Sequence, residues 1–413
     1  MEPTAAPPAL DVAAVAAQFP ILRREIGGRP VCYLDSAATA QKPEPVLAAM
    51  DRVQRHSNAN IHRGVYPLAQ EATDAFEGAR RTVADWIGSA YEETIFTKNV
   101  TEAINLVAYS WGRRNVGRGD TVLITPMEHH SNIVPWQLLC AEVGAELRYV
   151  AMDDDFRLDL DSLDRELERG PRLVAVGHVS NVLGTINPVA EIARRAHAAG
   201  ALVLVDGAQA VPHMRVDVRE LGADFYGFTG HKVYGPTGIG VLYARRELLE
   251  EMPPFLAGGD MISRVDWQES RWNSLPWKFE AGTSPYVEAA GLGAAIEWLA
   301  GLGIDAVLAH ELDVTHYLVE RIQEVDGARV IGPVDGPRGT PVSFALDGVH
   351  PHDVAEIVAR DGVCVRAGHH CAQPLMRRLG IPATSRASIG VHNTHADVDR
   401  LIEGLHRVRR VFG

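Results

Sequence analysis

Short runs of β-branched and aliphatic residues alternate with helical patterns through the middle of the chain, and this alternation narrows the possible folds most. One such helical segment, Pro188–Ala199, places proline at its start, as is common at the first turn of a helix. Strands that alternate with helices are typical of a mostly parallel sheet flanked by helices, so the sequence predicts an α/β fold. The runs that predict buried strands are Thr121–Thr125, Leu173–Val176, Ala201–Val205 and Gly238–Tyr243.

The composition excludes several classes of function. The chain has 413 residues, 46% of them hydrophobic, which is enough for two domains with a sizeable core. Its net charge of −13 is spread along the chain, and a basic cluster occurs only at Arg407, Arg409 and Arg410, so we expect no nucleic-acid partner. We also expect no membrane span and a cytoplasmic location, because Met1–Pro8 lacks the pattern of a signal peptide and no long apolar run follows.

A lysine and an aspartate indicate a specific cofactor. Asp206 directly follows the apolar run Leu202–Val205, and Lys232 follows about 26 residues later in a turn punctuated by glycine. A buried carboxylate needs a cationic partner. Pyridoxal phosphate (PLP) would use both residues, because it forms a Schiff base with a lysine and presents a protonated ring nitrogen to a carboxylate. A lysine in an isolated turn of this kind is more often a surface residue. The presence of Asp206 and Gln209 makes a PLP site the favoured interpretation.

The cofactor's phosphate requires hydrogen-bond donors and little steric bulk. Thr229, His231 and the segment Val100–Ala103, which opens a predicted helix and offers free N–H groups, supply such donors. The glycine-rich run Gly235–Gly240 resembles a nucleotide loop, but it precedes a strand and lacks the lysine spacing of a Walker motif. We therefore do not expect a nucleotide site.

Two histidine-containing loops add further candidates. His129 follows a predicted strand, and its imidazole is suited to stacking on a cofactor ring. Cys371 follows His369 and His370 on a loop, where an imidazolium would favour the thiolate, although an inert loop cysteine is also possible. A zinc site built from these histidines and Cys371 is a further alternative, but the spacing fits no standard zinc pattern, and we expect no metal. The remaining cysteines, Cys32, Cys140 and Cys364, form no CxxC pair and indicate no disulfide framework.

The pattern changes after about Gly291. Longer helices come first, followed by predicted strands at Pro341–Leu346 and Val363–Arg366 and by a last helix with Thr394 as its N-cap. A second, smaller domain is the simplest account of this change. The segment Ala257–Trp277 shows no clear period and predicts a long loop that serves as a lid or an interface.

Taken together, these motifs resemble the group II cysteine desulfurases of the SufS and CsdA type, which belong to the class V aminotransferase group and include selenocysteine lyases. The short Arg366–Cys371 loop is the group II form. The resemblance extends nearly from end to end, through the segments Tyr33–Thr39, Asn60–Gly64, Met127–Trp136, Val179–Thr185, Phe279–Thr283 and Arg386–Ser388.

The resemblance implies a fold-type I PLP-dependent transferase with a mostly parallel, seven-stranded central sheet, flanking helices and a smaller α+β C-terminal domain. Residues 1–25 would pack with the small domain, 26–295 would form the large PLP-binding domain, and 296–413 would form the small domain that carries the cysteine loop. The protein would act as a homodimer.

The resemblance also implies a role for each site residue. Lys232 would hold PLP as a Schiff base, Asp206 would pair with the ring nitrogen, Gln209 would bind the ring hydroxyl, and His129 would stack on the ring. Cys371 would be the nucleophile that takes sulfur from L-cysteine as a persulfide and passes it to an acceptor protein of the SufE or SufU kind for iron–sulfur cluster or other thio-cofactor assembly. The remaining implied roles are phosphate binding by Thr101, Thr229 and His231, a contact by Thr283 from the other subunit, and binding of the substrate carboxylate by Arg386 and Asn181.

Three positions depart from the family pattern. Tyr66 stands where a histidine is usual, Val100 replaces a smaller residue, and Ser284–Tyr286 replaces a proline-rich sequence. None of them removes a catalytic group, but all are expected near the active-site entrance or the dimer contact. Sulfur supply to a specialised biosynthetic pathway is therefore an alternative to general sulfur mobilisation. Selenocysteine lyase activity is a second alternative, because the same cofactor and thiol would serve both reactions.

Overall fold

The computed structural model describes residues 10–412. Within that range the strands are β1 (Glu25–Ile26), β2 (Arg29–Pro30), β3 (Cys32–Tyr33), β4 (Thr94–Thr97), β5 (Thr121–Ile124), β6 (Glu146–Tyr149), β7 (Leu173–Gly177), β8 (Leu202–Asp206), β9 (Phe225–Thr229), β10 (Gly240–Ala244), β11 (Ile262–Val265), β12 (Ser270–Trp272), β13 (Ala328–Ile331), β14 (Pro341–Leu346), β15 (Val363–Cys364), β16 (Arg366–Gly368) and β17 (Thr384–Ser388).

Helices cover both faces of the largest sheet. A π-helical segment at Val107–Gly112 joins the fourth and fifth of them. The α-helices are α1 (Val12–Ala16), α2 (Glu44–His56), α3 (Pro67–Ile87), α4 (Val100–Leu106), α5 (Arg113–Asn115), α6 (Val134–Val143), α7 (Leu160–Leu167), α8 (Val189–Ala198), α9 (Arg246–Glu251), α10 (Tyr286–Leu302), α11 (Ile304–Gln323), α12 (Pro351–Ala359), α13 (Gln373–Arg378) and α14 (His395–Phe412).

A seven-stranded sheet forms the centre of the fold, in the order β4-β10-β9-β8-β7-β5-β6. The pairs from β9 to β6 are parallel, while β10 runs antiparallel to both β9 and β4. The predicted mostly parallel sheet is therefore confirmed. Each predicted strand is present with shifts of one or two residues at its ends, and Asp206 is the last residue of β8.

The central sheet is buried on both faces, as its nearly continuous apolar strands require. Successive residues of one strand enter different hydrophobic clusters: Val203 and Val205 lie in one cluster, whereas Leu204 lies in the other. Since side chains alternate across a strand, each cluster packs one face of the sheet against helices. The sheet is therefore a buried platform, and polar side chains lie at and beyond the carboxyl ends of its strands.

A four-stranded sheet, in the order β13-β14-β17-β16, forms a second layer near the C-terminus. A third hydrophobic cluster packs this sheet against α11, α12 and α14. Cys32 and Leu34 also belong to this third cluster, because β3 pairs in parallel with β15. This pairing brings residues near position 32 into contact with the C-terminal core. The domain bounds 1–25, 26–295 and 296–413 stay a proposal. Residues 1–9 and 413 lie outside the described part of the chain.

Two sequence predictions were wrong. The predicted strand Val363–Arg366 is divided, because β15 pairs with β3 while β16 pairs with β17. The predicted loop Ala257–Trp277 contains the antiparallel hairpin β11–β12. Its strands lack the usual apolar alternation because most of their side chains are exposed on both faces. The last helix begins at His395 as expected, and Asp397 accepts a hydrogen bond from the backbone N–H of Thr394.

Among the described residues, no single helix has the length and apolar character needed to cross a membrane. The consecutive helices α10 and α11 reach that length and apolar character only together, and they are bent by 79° relative to each other.

Candidate active site

A cavity of about 270 Å³ lies at the carboxyl ends of the central strands. Asp206 ends β8, Thr229 ends β9, and Lys232 closes the 3₁₀ turn Gly230–Lys232 that follows β9. Ligands of open α/β sheets bind at this edge, because the loops that leave parallel strands converge there. The structure therefore brings the residues of the Lys232 and Asp206 motifs to one cavity.

Lys232 lies in a strongly desolvated environment. Burial lowers the pKa of its amine to about 8, although the nearby Asp206 opposes this shift. Burial also lowers the pKa of the adjacent His231 to about 4, so this imidazole is neutral at physiological pH. A lysine with such a pKa is more often unprotonated than an exposed one, as an amine that forms an imine or accepts a proton must be.

The polar atoms around Lys232 fit PLP. Burial raises the pKa of Asp206, whose carboxylate accepts only one hydrogen bond in the described structure, from the backbone N–H of Ala208 at 3.0 Å. The buried Oε1 of Gln209 and Oγ1 of Thr229 have no hydrogen-bond partner within the described residues. A cationic ring nitrogen, a ring hydroxyl and a phosphate are groups that would satisfy these atoms.

Gly207, which follows Asp206, leaves room for the ring of Tyr226. A Cβ atom at position 207 would lie 2.2 Å from the Oη of Tyr226, so a larger residue would displace this buried ring. The Tyr226 hydroxyl in turn contacts Nδ1 of the buried His178 at 3.1 Å. This packing restrains the backbone that directly follows Asp206.

His129 and Thr101 lie on the cavity wall and share one partner. Ser131 Oγ is 2.9 Å from Nδ1 of His129 and 2.7 Å from Oγ1 of Thr101. Burial lowers the pKa of His129 to about 3, so its imidazole is uncharged and suited to lie against an aromatic ring. The neighbouring Glu128 is fully buried, and its carboxylate accepts hydrogen bonds from Thr125, Asn132 and the backbone N–H of Gly177.

Arg386 approaches the cavity from β17 of the second sheet. Its guanidinium is buried, donates to the carbonyl of Asn181 at 2.9 Å and to Asp35 at 3.3 Å, and leaves Nε without a partner among the described residues. This free donor suits a carboxylate. Asn181 lines the cavity, but its Nδ2 already donates to the carbonyl of His370 at 2.7 Å. The amide of Asn181 therefore holds the cysteine loop in this structure.

Cys371 is exposed on a tightly held loop between β16 and α13. Both His370 and Cys371 have positive φ angles, of 51° and 56°, in the left-handed region that side chains disfavour. Contacts to His130 and His369 stabilise this conformation: the carbonyl of Cys371 accepts from the N–H of His130 at 2.7 Å, and its N–H donates to Nδ1 of His369 at 3.2 Å. The thiol therefore stands at the cavity wall on a restrained backbone.

Thr283 differs from the other predicted site residues. It does not line the central cavity in the described chain; it lines a separate cavity of about 230 Å³ together with Lys98 and Ser284. The histidines around Cys371 likewise form no metal site: within residues 10–412, no group of three or more His, Cys, Asp or Glu side chains is arranged to hold a metal ion.

Sequence reasoning assigned no role to two residues of this site. Asp35 and Arg366 are ion-paired beside Arg386, and Arg366 lines the cavity. Both residues occur in segments that carry the family resemblance, and this position in a motif is the signal that could have identified them from the sequence. Their mutual contact spans 331 positions of the chain and is set by the tertiary fold.

Comparisons with known proteins agree with this geometry. The family described as aminotransferase class-V matches residues 32–401. A protein named probable cysteine desulfurase from Halalkalibacterium halodurans is 50% identical over 396 residues, which cover 96% of this chain and 97% of that protein. A cysteine desulfurase from Escherichia coli (strain SE11) is 48% identical over 401 residues, with 97% and 98% of the two chains covered.

A solved structure shares the complete architecture. The crystal structure of the cysteine desulfurase CsdA (S-sulfonic acid) from Escherichia coli superposes with a TM-score of 0.91 at 37% identity, and it covers 98% of this chain and 100% of that one. The match includes the central sheet as well as the C-terminal part that carries Cys371.

Proposed function

This chain belongs to the aminotransferase class-V family, and on that premise we propose that it is a PLP-dependent cysteine desulfurase that converts L-cysteine to L-alanine. One observation carries the proposal: a single cavity is lined by the Schiff-base lysine candidate Lys232, the buried carboxylate Asp206, the carboxylate-binding candidate Arg386 and the exposed thiol Cys371. A transaminase would have no use for an exposed thiol at that position.

In this proposal the buried polar groups hold the cofactor. Asp206 would face the ring nitrogen, Gln209 the ring hydroxyl, and His129 the face of the ring. Thr101, Thr229 and His231 would bind the phosphate. When bound, PLP supplies an electron sink for the charge that remains after an α-proton is removed from the substrate.

Lys232 and Arg386 would act on the amino-acid part of the substrate. Arg386 orients the substrate by pairing with its carboxylate, using its Nε donor, which has no partner among the described residues. The amine of Lys232 would accept the α-proton, because burial lowers its pKa to about 8 and so raises the unprotonated fraction near neutral pH.

Cys371 would act on the substrate sulfur. Its thiolate attacks the sulfur, a sulfur–sulfur bond forms, and the bond between the substrate's Cβ and sulfur breaks. The electron pair of the broken bond stays with the carbon skeleton, which takes up a proton and becomes alanine. The products are L-alanine and a persulfide on Cys371, whose exposure leaves it accessible to an acceptor.

The wider setting of this reaction is also part of the proposal. We infer a sulfur-acceptor protein of the SufE or SufU kind, a role in iron–sulfur cluster or other thio-cofactor assembly, and a homodimer in which Thr283 contacts the partner's cofactor site. A cytoplasmic location agrees with four free cysteines, since reduced thiols are typical of the cytosol.

Intact-protein mass spectrometry tests the proposed reaction. The PLP-loaded protein receives one addition of L-cysteine without reductant, and alanine is quantified in parallel. We expect a mass gain of one or more sulfur atoms with matching alanine for wild type and for Cys364→Ser, which removes a partly buried thiol away from the cavity. Cys371→Ser should show no gain. Alanine formation without a mass gain in wild type would contradict the role of Cys371, and the absence of alanine would contradict the proposed function.

A further inference from the structure

The second histidine of the segment Glu128–Asn132 has no role in the proposed reaction, although it contacts the loop that carries the nucleophile. His130 begins the 3₁₀ turn that directly follows His129, and both residues are partly buried. Its backbone N–H donates to the carbonyl of Cys371 at 2.7 Å. His130 therefore lies between the residue proposed to stack on the cofactor ring and the residue proposed to attack the substrate sulfur.

The imidazole of His130 makes a second contact to the same loop. Its Nε2 accepts a hydrogen bond from the backbone N–H of Gln373 at 3.1 Å. Gln373 is the first residue of α13, and Ala372 at the N-cap position provides no side-chain hydrogen bond to this helix. Since the first N–H groups of a helix have no partner within the helix, His130 acts as a cap that is supplied from another part of the chain.

The imidazole of His130 can accept this hydrogen bond because it is uncharged. Burial and, to a smaller extent, the neighbouring His369 lower its pKa below the ordinary value for histidine. An uncharged imidazole has one nitrogen without a proton, and only that nitrogen accepts a hydrogen bond. His369 lies beside His130, with ring centroids 5.7 Å apart, and its Nδ1 accepts from the N–H of Cys371 at 3.2 Å. The backbone N–H and carbonyl of Cys371 are therefore both held by histidines.

The loop needs such contacts because its backbone is strained. His370 and Cys371 both have positive φ angles, which residues with a side chain adopt only when their surroundings enforce them. The body of α13 is fixed independently, since Leu375 and Met376 are buried in a hydrophobic cluster that also packs one face of the central sheet. The imidazole of His130 thus contacts the joint between a strained loop and a fixed helix.

We propose that His130 is a positioning residue that fixes the Cys371 thiol relative to the cofactor ring. The inference rests on the proposed function, because it takes Cys371 as the nucleophile and His129 as the residue beside the ring. A reacting group that is displaced by about 1 Å can react about a hundredfold more slowly. His130 should therefore act on the step in which Cys371 takes the sulfur atom, and it should leave the binding of cofactor and substrate unchanged.

Two substitutions separate the hydrogen bond of the imidazole from its bulk. His130→Leu fills a similar space and removes the acceptor, whereas His130→Gln offers an amide oxygen that can accept from the same N–H. His316→Leu is the matched control, because His316 is exposed on α11 and lies outside the lining of the cavity. The three variants and wild type are loaded with PLP, and the absorption of the cofactor reports whether each protein binds it.

Single-turnover persulfide formation is measured by rapid quenching after mixing with L-cysteine, followed by intact-protein mass spectrometry. We expect His130→Leu to lower the limiting rate by about tenfold or more, while the L-cysteine concentration that gives half of this rate stays within about twofold of wild type. His130→Gln should recover most of the rate, and His316→Leu should equal wild type.

Hydrogen exchange of the Gln373 amide, resolved by fragment mass spectrometry, provides a readout without turnover. Exchange should be about fivefold faster in His130→Leu, because the amide loses its acceptor, and it should stay slow in His130→Gln. A change at this amide that accompanies the loss of rate connects the two effects to the same hydrogen bond.

Three results would overturn the inference. If His130→Leu keeps the limiting rate of wild type or its exchange at Gln373, the imidazole does not position the thiol. If the Leu and Gln variants are slowed equally, the acceptor is not the feature that matters. If cofactor absorption is lost, or half-saturation rises together with the loss of rate, His130 supports the cavity in general. A wild-type protein that forms no persulfide refutes the proposed function, whereas persulfide formation at equal rates in wild type and His130→Leu refutes this inference alone.

Discussion

At the scale of single residues, the carbonyl of His231 receives an unusual number of donors. It precedes Lys232 and accepts hydrogen bonds from the backbone N–H of Ala40 at 2.9 Å, from Oγ1 of Thr39 at 3.2 Å and from Nζ of Lys42 at 3.3 Å. Lys42 also donates to the carbonyl of Ala40. The segment from Thr39 to Lys42 therefore restrains the turn that carries Lys232.

Lys42 gives a prediction for the pH dependence of stability. Burial lowers the pKa of its amine to about 8 in the folded protein, compared with about 10.4 in an unfolded chain. Between these values the unfolded state binds more protons, so the contribution of Lys42 to stability rises with pH. From pH 7 to about pH 9.5, the unfolding free energy of wild type should gain about 2 kcal/mol relative to Lys42→Met.

Urea unfolding of the PLP-loaded proteins at both pH values measures this difference. Lys98→Met serves as the control, because Lys98 is exposed and its substitution removes the same charge. We expect the difference between wild type and Lys98→Met to stay constant with pH. A constant difference for Lys42→Met as well would show that its amine is not desolvated in the folded state.

Sequence patterns predicted the residues of the cavity better than the residues that support it. Lys232, Asp206 and Cys371 were found because each follows a strand in a motif with its own chemistry. Asp35 and Lys42 act through contacts to residues far along the chain, and a local pattern does not specify such contacts. The missing signal was tertiary: for example, Lys42 meets His231 across 189 positions.

At the scale of elements, buried strands could be predicted and exposed ones could not. The strand Pro341–Leu346 was predicted with its observed bounds, because it is buried along nearly its whole length and rich in apolar residues. The hairpin β11–β12 was missed, since Val265 is 62% exposed and the turn residue Trp267 is 97% exposed. Without one buried face, a strand has no alternating pattern that the sequence can reveal.

Helix α11 contributes a buried acidic residue that connects several elements. Glu311 is fully buried, contacts Nδ1 of His213 at 2.7 Å and accepts from the hydroxyl of Tyr234 at 3.2 Å. The same hydroxyl accepts from the N–H of Val391 at 3.0 Å. Since Tyr234 follows Lys232 by two residues and Val391 follows β17, this network joins the lysine turn to the strand that carries Arg386.

Glu311→Gln tests the importance of this network. The amide has the same shape but loses the charge and one acceptor, so at least one buried partner is left unsatisfied. We expect a loss of about 2–4 kcal/mol in the unfolding free energy, measured by urea unfolding. Asp313→Asn is the matched control on the same helix: its side chain is 68% exposed and pairs with His395, so its loss should stay below about 0.5 kcal/mol. Similar losses in both variants would refute the role of Glu311.

At the scale of the whole molecule, the site is assembled from three parts of the chain. The central sheet supplies Asp206 and Lys232, the second sheet supplies Arg386 and the loop with Cys371, and the N-terminal region packs between them. Phe19 contacts Tyr234 and Trp298 as well as His392, with ring centroids 5.2–6.1 Å apart. Relative movement of the two sheets would therefore change the distance between the lysine and the cysteine.

Thr283 leads to the prediction that the complete site needs two chains. Its side chain is exposed and lies outside its own central cavity, although the family resemblance gives it a phosphate contact. If that contact is made across a dimer, Thr283→Asp places a carboxylate against the partner's phosphate, and Lys232→Ala removes the Schiff base from its own subunit. Both homodimers should be inactive.

A mixed dimer of these two variants distinguishes a Thr283 contact to the partner's site from a contact to the site of its own subunit. If the contact is made to the partner's site, one of the two sites combines the intact Lys232 of one chain with the intact Thr283 of the other. We expect mixed dimers, purified by two different tags, to bind PLP and to form alanine from L-cysteine. Pairing Thr283→Asp with the double variant Thr283→Asp/Lys232→Ala provides the control, since no intact site can then form. If Thr283 serves its own subunit, the first mixture is as inactive as the control, and sedimentation of the same samples shows whether the chains associate at all.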